Sequence, residues 1–148
     1  MKALFRQLKA HFKKFPSTPQ ITASSKEIGV FGEEYTTVYL EKRGFLIRER
    51  NLRLHGHELD IVAEKDGVII FCEVKTRNFR EDWMQKFGSA AQAVTKEQIK
   101  NIHIAARSYA KRCGDKYTYR FDIAEVYLTE KENVFEVKRF QYMEDAFR

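Results

Sequence analysis

The sequence predicts an α/β fold in which a mixed β-sheet carries packed helices; an α+β arrangement of the same elements stays open. Three observations predict it. Apolar residues recur at helical spacing in two separated stretches, 26–43 and 95–113. Three strand-like stretches stand between them, two of them joined by Asp66-Gly67. Two more strand-like stretches follow the second helix.

The elements follow in order. "MKALFRQLKAHFKKF" has no acid and sets Leu4, Leu8, Phe12 and Phe15 at helical spacing among lysines and arginines. "PSTPQITASS" then reads as a linker. Residues 1–25 are thus expected to be a basic arm, and 26–148 a single domain. Such an arm suits a frayed terminus, a membrane or nucleic-acid contact, or a transit peptide. In the first helix Ile28, Phe31, Tyr35 and Val38/Tyr39 form the apolar stripe, and Gly44 ends it. Strands are expected over 45–54, 58–64 and 68–75, then a loop over 78–94 around Trp83 and Phe87-Gly88. Thr95 and Gln98 fit a capping box at the start of the second helix, and Gly114 its stop. Strands over 117–128 and 134–140 are joined through "TEKEN".

Composition bounds the classes open to the chain. Of 148 residues, 43% are hydrophobic and 32% charged, an ordinary globular balance rather than a disordered one. No apolar run approaches the roughly 20 residues of a membrane span. The net charge of +6 favours a polyanionic partner such as nucleic acid. Cys72 and Cys113 are far apart and no Cys/His cluster has zinc spacing, so a reduced, cytoplasmic protein is expected.

The third strand holds an anomaly. Val68 to Cys72 and Val74 are apolar, yet Glu73 and Lys75 interrupt the run. A two-residue turn at Asp66-Gly67 pairs Lys65 with Val68, and so Asp60 with Glu73 and Glu58 with Lys75. With a period of two, Glu58, Asp60, Glu73 and Lys75 share one patch. Like charges directly opposed destabilise a sheet. A divalent cation would resolve the conflict, because Mg²⁺ takes one or two carboxylates together with waters and substrate phosphate. Lys75 could then orient an attacking water or neutralise charge on a phosphate. The bland reading is a set of solvated cross-strand ion pairs, Glu58 with Lys75 and Glu73 with a nearby arginine.

An acid, a hairpin and then Glu-x-Lys at the end of an apolar strand resembles the PD-(D/E)xK nuclease core. The pieces "GVFGEEY…YL" (29–40), "GF…N-L-R" (44–53), "ELDIVA" (58–63), "VIIFCEVKTR" (68–77), "FGSAAQAVT" (87–95) and "RFDIAEV" (120–126) together resemble the YraN-type family of small bacterial proteins. That resemblance implies a restriction-endonuclease-like fold with an αβββαβ core, similar to Holliday-junction resolvases. It implies a Mg²⁺- or Mn²⁺-dependent endonuclease acting on DNA, branched or otherwise structured, and a possible homodimer. The alternative on the same fold is a non-catalytic nucleic-acid-binding module. Carried over by position, the resemblance makes Asp60, Glu73, Lys75 and Glu33 catalytic, and Asp60, Glu73, Glu58 and Glu33 metal ligands. It assigns the helix position that supports phosphate to Gln98, where the family has lysine. His57 stands where the family has glycine.

Other residues are weighed singly. Arg53, Thr76 and Arg77 could meet phosphate, or could be ordinary surface groups. Glu33 lies off the apolar stripe of its helix, and Gln98 also fits the cap. His55, His57 and His103 form no defensible ligand set. Phe121-Asp122 is expected to cap or pack the sheet. Cys72 should be a buried small hydrophobe on the face opposite Glu73. Trp83 and Phe87 either stack on a base or cover the core.

Overall fold

The computed structural model describes residues 23–79 and 94–148. The basic arm up to residue 22, and Trp83 and Phe87 in the expected loop, lie outside the described residues. Helix α1 spans Ser25–Lys42. Strands β1 (Leu46–Leu54), β2 (His57–Lys65) and β3 (Val68–Asn78) follow. Helix α2 (Lys96–Cys113) leads to β4 (Thr118–Lys131) and β5 (Val134–Met143).

These elements form one five-stranded sheet in the order β1-β2-β3-β4-β5. The first three strands are an antiparallel meander, β3 and β4 are parallel, and β5 returns antiparallel to β4. The helix between parallel strands is the crossover that such a pair requires. The fold is α/β of the restriction-endonuclease-like kind, a mixed sheet flanked by two helices.

Each helix begins where the sequence can satisfy its first N–H groups. The Thr95 hydroxyl accepts from Gln98 N at 3.1 Å while Gln98 Oε1 accepts from Thr95 N at 3.0 Å. Ser24 and Glu27 form the same reciprocal box at α1, a signal the sequence reading passed over. The core has two faces. Leu40 of α1 packs with Ile61, Ala63, Ile70, Cys72 and Ala124. On the other face Ile102, Ala105, Ala106 and Tyr109 of α2 cover Leu54, Leu59, Val62, Ile69 and Phe71. Strand β3 lies between both layers, which is why its sequence is a continuous apolar run.

Four strands exceed their expected bounds, β2 by only one residue at each end. Strand β3 continues to Asn78 because it pairs with β4 along its whole length, ending at Asn78↔Leu128. Strand β4 runs into the "TEKEN" stretch to Lys131, β5 continues past Phe140 to Met143, and the two meet at a two-residue turn, Glu132-Asn133, both with positive φ (53° and 58°). Such a turn matches the right-handed twist of its strands. Asp122 is fully buried and does more than pack. It receives Arg120 through two bonds of 2.8 Å, the Tyr142 hydroxyl at 2.6 Å and Asp145 N at 3.0 Å. This network ties the C-terminal residues to β4.

Candidate active site

The β2–β3 hairpin turns at Asp66-Gly67, with φ of 51° and 77°. Its ladder runs from Lys65↔Val68 to Ile61↔Cys72 in the expected register. There it stops. The expected rungs Asp60–Glu73 and Glu58–Lys75 do not form. Glu58 pairs instead with Arg53 across the neighbouring β1–β2 hairpin, Oε2 to Nη2 at 3.0 Å.

The side-chain pattern explains the stop. Leu59 and Val62 both pack beneath α2, whereas Ile61 and Ala63 pack beneath α1. Two residues three apart on one face break the alternation of a regular strand, and the break falls at Asp60. The facing residue of β1, Asn51, has a φ of 50°, and the pairing skips from Arg50↔Ile61 to Leu52↔Leu59. Where strand-to-strand bonding ends, the Asp60 carboxylate takes its place: Oδ2 accepts from Val74 N at 2.8 Å.

Glu73 and Lys75 stand next to this point. Lys75 Nζ donates to Glu73 Oε1 at 2.8 Å, and the two side chains keep only 19% (Lys75) and 13% (Glu73) of their exposure. That is far from a solvated surface pair such as Arg53–Glu58. Glu33, on α1, is half-buried on the same side of the molecule. Burial raises its carboxyl above the usual range, the Asn51 amide and Arg50 pull it back, and Glu58 and Glu73 raise it further. Asp60 is pushed up to about 8, first by burial and next by the charge of Glu73; the Val74 N–H opposes this, Glu33 adds to it, and Lys75 opposes it. Acids from α1, β2 and β3 thus feel one another, with one ammonium among them.

Helix α1 reaches this site because of Gly32. A Cβ built there would lie 1.7 Å from Thr76 Oγ1. The helix backbone therefore rests directly on β3, one residue beyond Lys75, and sets the height of Glu33. The Thr76 hydroxyl is buried with no hydrogen-bond partner, so it faces α1 rather than a ligand. Arg77 is exposed at the end of β3, and Arg53 is exposed beside Glu58. Gln98 is committed through Oε1 to its cap. Two residues were missed as parts of the site, Asn51 and Gly32. Both lie inside quoted motif pieces, but their roles depend on a positive φ and a helix–strand contact that no spacing rule shows.

The donor set suits a hard divalent cation. Asp60 and Glu73 offer carboxylate oxygens, while three softer candidates are engaged elsewhere. His55 Nε2 lies 3.0 Å from Ser108 Oγ, His103 packs on Phe121 with ring centroids 4.4 Å apart, and Cys72 is buried beneath α1. Among the described residues no group of three or more His, Cys, Asp or Glu side chains is arranged to hold a metal ion. Two carboxylates alone would leave most of such an ion's shell to waters and other oxygen donors.

Fold and geometry define a restriction-endonuclease-like α/β protein with acids and a lysine gathered where β2 parts from β3. The chain belongs to the uncharacterised protein family UPF0102, which matches residues 32–126. A UPF0102 protein of Dictyoglomus turgidum is 36% identical over 125 residues, covering 84% of this chain and 99% of its own length. One from Alkaliphilus metalliredigens is 36% identical over 124 residues, 83% and 99% of the two chains. One from Syntrophomonas wolfei reaches 45% over 87 residues, 59% and 71%. Every candidate site residue falls within the matched span. Among the described residues no helix is long and apolar enough to cross a membrane.

Proposed function

We propose that the chain is a metal-dependent endonuclease that hydrolyses phosphodiester bonds in DNA, branched or otherwise structured. One observation carries this reading: where the sheet ladder opens, the Asp60 carboxyl is held by Val74 N–H and feels the charge of Glu73, which is itself paired with Lys75. A structural role would not need this. Burial beside Glu73 drives Asp60 to take up a proton or a cation, and a paired apolar rung would serve the sheet better.

In this reading Asp60 and Glu73 hold Mg²⁺ or Mn²⁺, with Glu33 and Glu58 in support. The ion, when bound, lowers the pKa of a coordinated water and screens the phosphate. Val74 N–H holds the Asp60 carboxylate in one orientation, and Glu73 does the same for the Lys75 ammonium. Lys75 Nζ donates a hydrogen bond to the attacking water or to the phosphate oxygen that gains charge. Arg53 and Arg77 meet neighbouring phosphates, whereas Thr76, turned to α1, and Gln98, held in its cap, take no part in that contact.

A binding module without catalysis is favoured by one observation, the closed Lys75–Glu73 pair, which can satisfy both groups without a metal. Cleavage of labelled junction, flap and single-stranded DNA in Mg²⁺ or Mn²⁺ separates the two. The nuclease reading expects cleavage that Glu73→Gln and Lys75→Ala each lower by about 10²-fold or more. Metal-dependent cleavage unchanged in both variants would overturn it.

A further inference from the structure

We infer that the outer face of α2 is a docking track for the phosphate backbone of duplex DNA, separate from the acidic site. The inference rests on the nucleic-acid reading above and names a surface which that reading does not use. Lys96, Lys100, Ile104, Arg107 and Lys111 recur at intervals of four, four, three and four residues. At about 100° per residue they fall within a sector of about 80°. All five are exposed. The opposite side of the helix, Ile102, Ala105, Ala106 and Tyr109, is buried in the core.

What sets these cations apart is their alignment on one helix face, since other exposed lysines such as Lys26, Lys42 and Lys131 also lack an ion pair among the described residues. Arg48, Arg50, Arg53, Lys75 and Arg120 each pair with a carboxylate. None of the four on the stripe enters an ion pair among the described residues. The helix has a single acid, Glu97, at the edge of the sector. An unneutralised row of like charges destabilises an isolated helix, so its fixed position is better explained by a partner that brings the counter-charge.

The placement fits a long polyanion. The stripe is about 22 Å long at 1.5 Å per residue, a length over which a duplex presents about 13 phosphates. Strands β3 and β4 are parallel, so α2 runs back along β3. Its Lys96 end therefore lies at the end of the sheet that carries Glu73 and Lys75, and its Lys111 end lies beyond Tyr109, which packs edge-on to Phe71. A duplex seated on the stripe leads one end toward the acidic site. A membrane surface fits less well. A helix that binds lipid buries several large apolar residues on the face it presents, and here that face has Ile104 alone.

The test is fluorescence anisotropy on a labelled 30-base-pair duplex, in EDTA, from 50 to 200 mM salt. It compares wild type, Lys100→Gln/Arg107→Gln/Lys111→Gln, and a control triple, Lys26→Gln/Lys42→Gln/Lys131→Gln, that removes equal charge from exposed sites elsewhere. Losing three phosphate contacts should reduce the slope of log K against log salt by about 2.7 and weaken binding by about tenfold or more. The control should stay close to wild type. Equal effects of the two triples, a stripe variant that binds like wild type, or stripe-dependent binding to anionic vesicles without duplex binding would each overturn the inference. Metal binding at Asp60 and Glu73 is read separately and is expected unchanged in the stripe variant, so either idea can fail alone.

Discussion

Gly32→Ala opposes two effects of known sign. In an exposed helix interior, alanine in place of glycine stabilises by about 1 kcal/mol. At Gly32 the new Cβ would lie 1.7 Å from Thr76 Oγ1, 2.8 Å from its Cβ and 3.0 Å from its Cγ2. Rotating the hydroxyl away leaves the Cβ contact, and Thr76 sits on a strand paired on its β4 side. The helix must therefore move. Overpacking of this kind costs about 1–3 kcal/mol, and the contact with the Thr76 Cβ, which no rotamer can move, puts Gly32 at the upper end. The net expectation is a loss of about 2 kcal/mol, or a Tm lower by about 4–8 °C for a chain of this size. Urea unfolding at constant m measures it. Adding Thr76→Ala removes two of the three clashing atoms and should recover part of the loss, while the Cβ contact keeps it from recovering all. If Gly32→Ala instead stabilises by about 1 kcal/mol, propensity alone governs the position, and the reasoning that Gly32 sets the height of Glu33 is refuted.

Other outcomes follow from single groups. Asp60 has a folded pKa raised to about 8 by burial and by Glu73, so its neutral form is the stable one. Its contribution is fully present below the usual carboxylate range and is lost as pH rises towards 8. Asp60→Asn keeps an acceptor for Val74 N–H and should flatten that decline, giving a variant more stable than wild type at pH 8 by a few kcal/mol; urea midpoints from pH 4 to 9 read it. Thr76→Val removes a buried hydroxyl that has no partner and should stabilise by about 1 kcal/mol, seen as a higher urea midpoint. Asp122→Ala removes two bonds from Arg120, which keeps Glu144, and leaves the part-buried Tyr142 hydroxyl and Asp145 N without their acceptor; it should cost about 2–3 kcal/mol, measured by the same titration.

Much of this architecture was legible in the residues. Apolar period, the Thr95–Gln98 box and the Asp66-Gly67 turn fixed both helices and the hairpin register, because each is a local signal with a local cause. The site was legible only in part. The hairpin register was right, yet it does not extend to Asp60 and Glu73. Whether a ladder continues depends on how each strand is gripped from its other side, and Asn51 in a left-handed conformation belongs to the next strand. Glu58 went to Arg53 for a similar reason: the His55-Gly56 turn (φ of 53° and 79°) brings those two side chains together across β1 and β2. The Gly32–Thr76 contact joins residues 44 apart in number, and no periodicity announces it. The basic stripe of α2 was present in the sequence, but its significance needed the opposite face of the helix to be seen buried.

The most direct measurement is a calorimetric titration of Mn²⁺ into wild type and Asp60→Asn/Glu73→Gln at fixed salt and pH 7, with and without a duplex carrying a non-hydrolysable phosphorothioate. The nuclease reading predicts one site per chain in wild type, tightened by the duplex and accompanied by proton release, since burial and the charge of Glu73 raise the Asp60 carboxyl above the usual range. It predicts loss of that site in the variant. Wild type that takes up no Mn²⁺ even with the duplex bound, or a variant that binds as well as wild type, would contradict it.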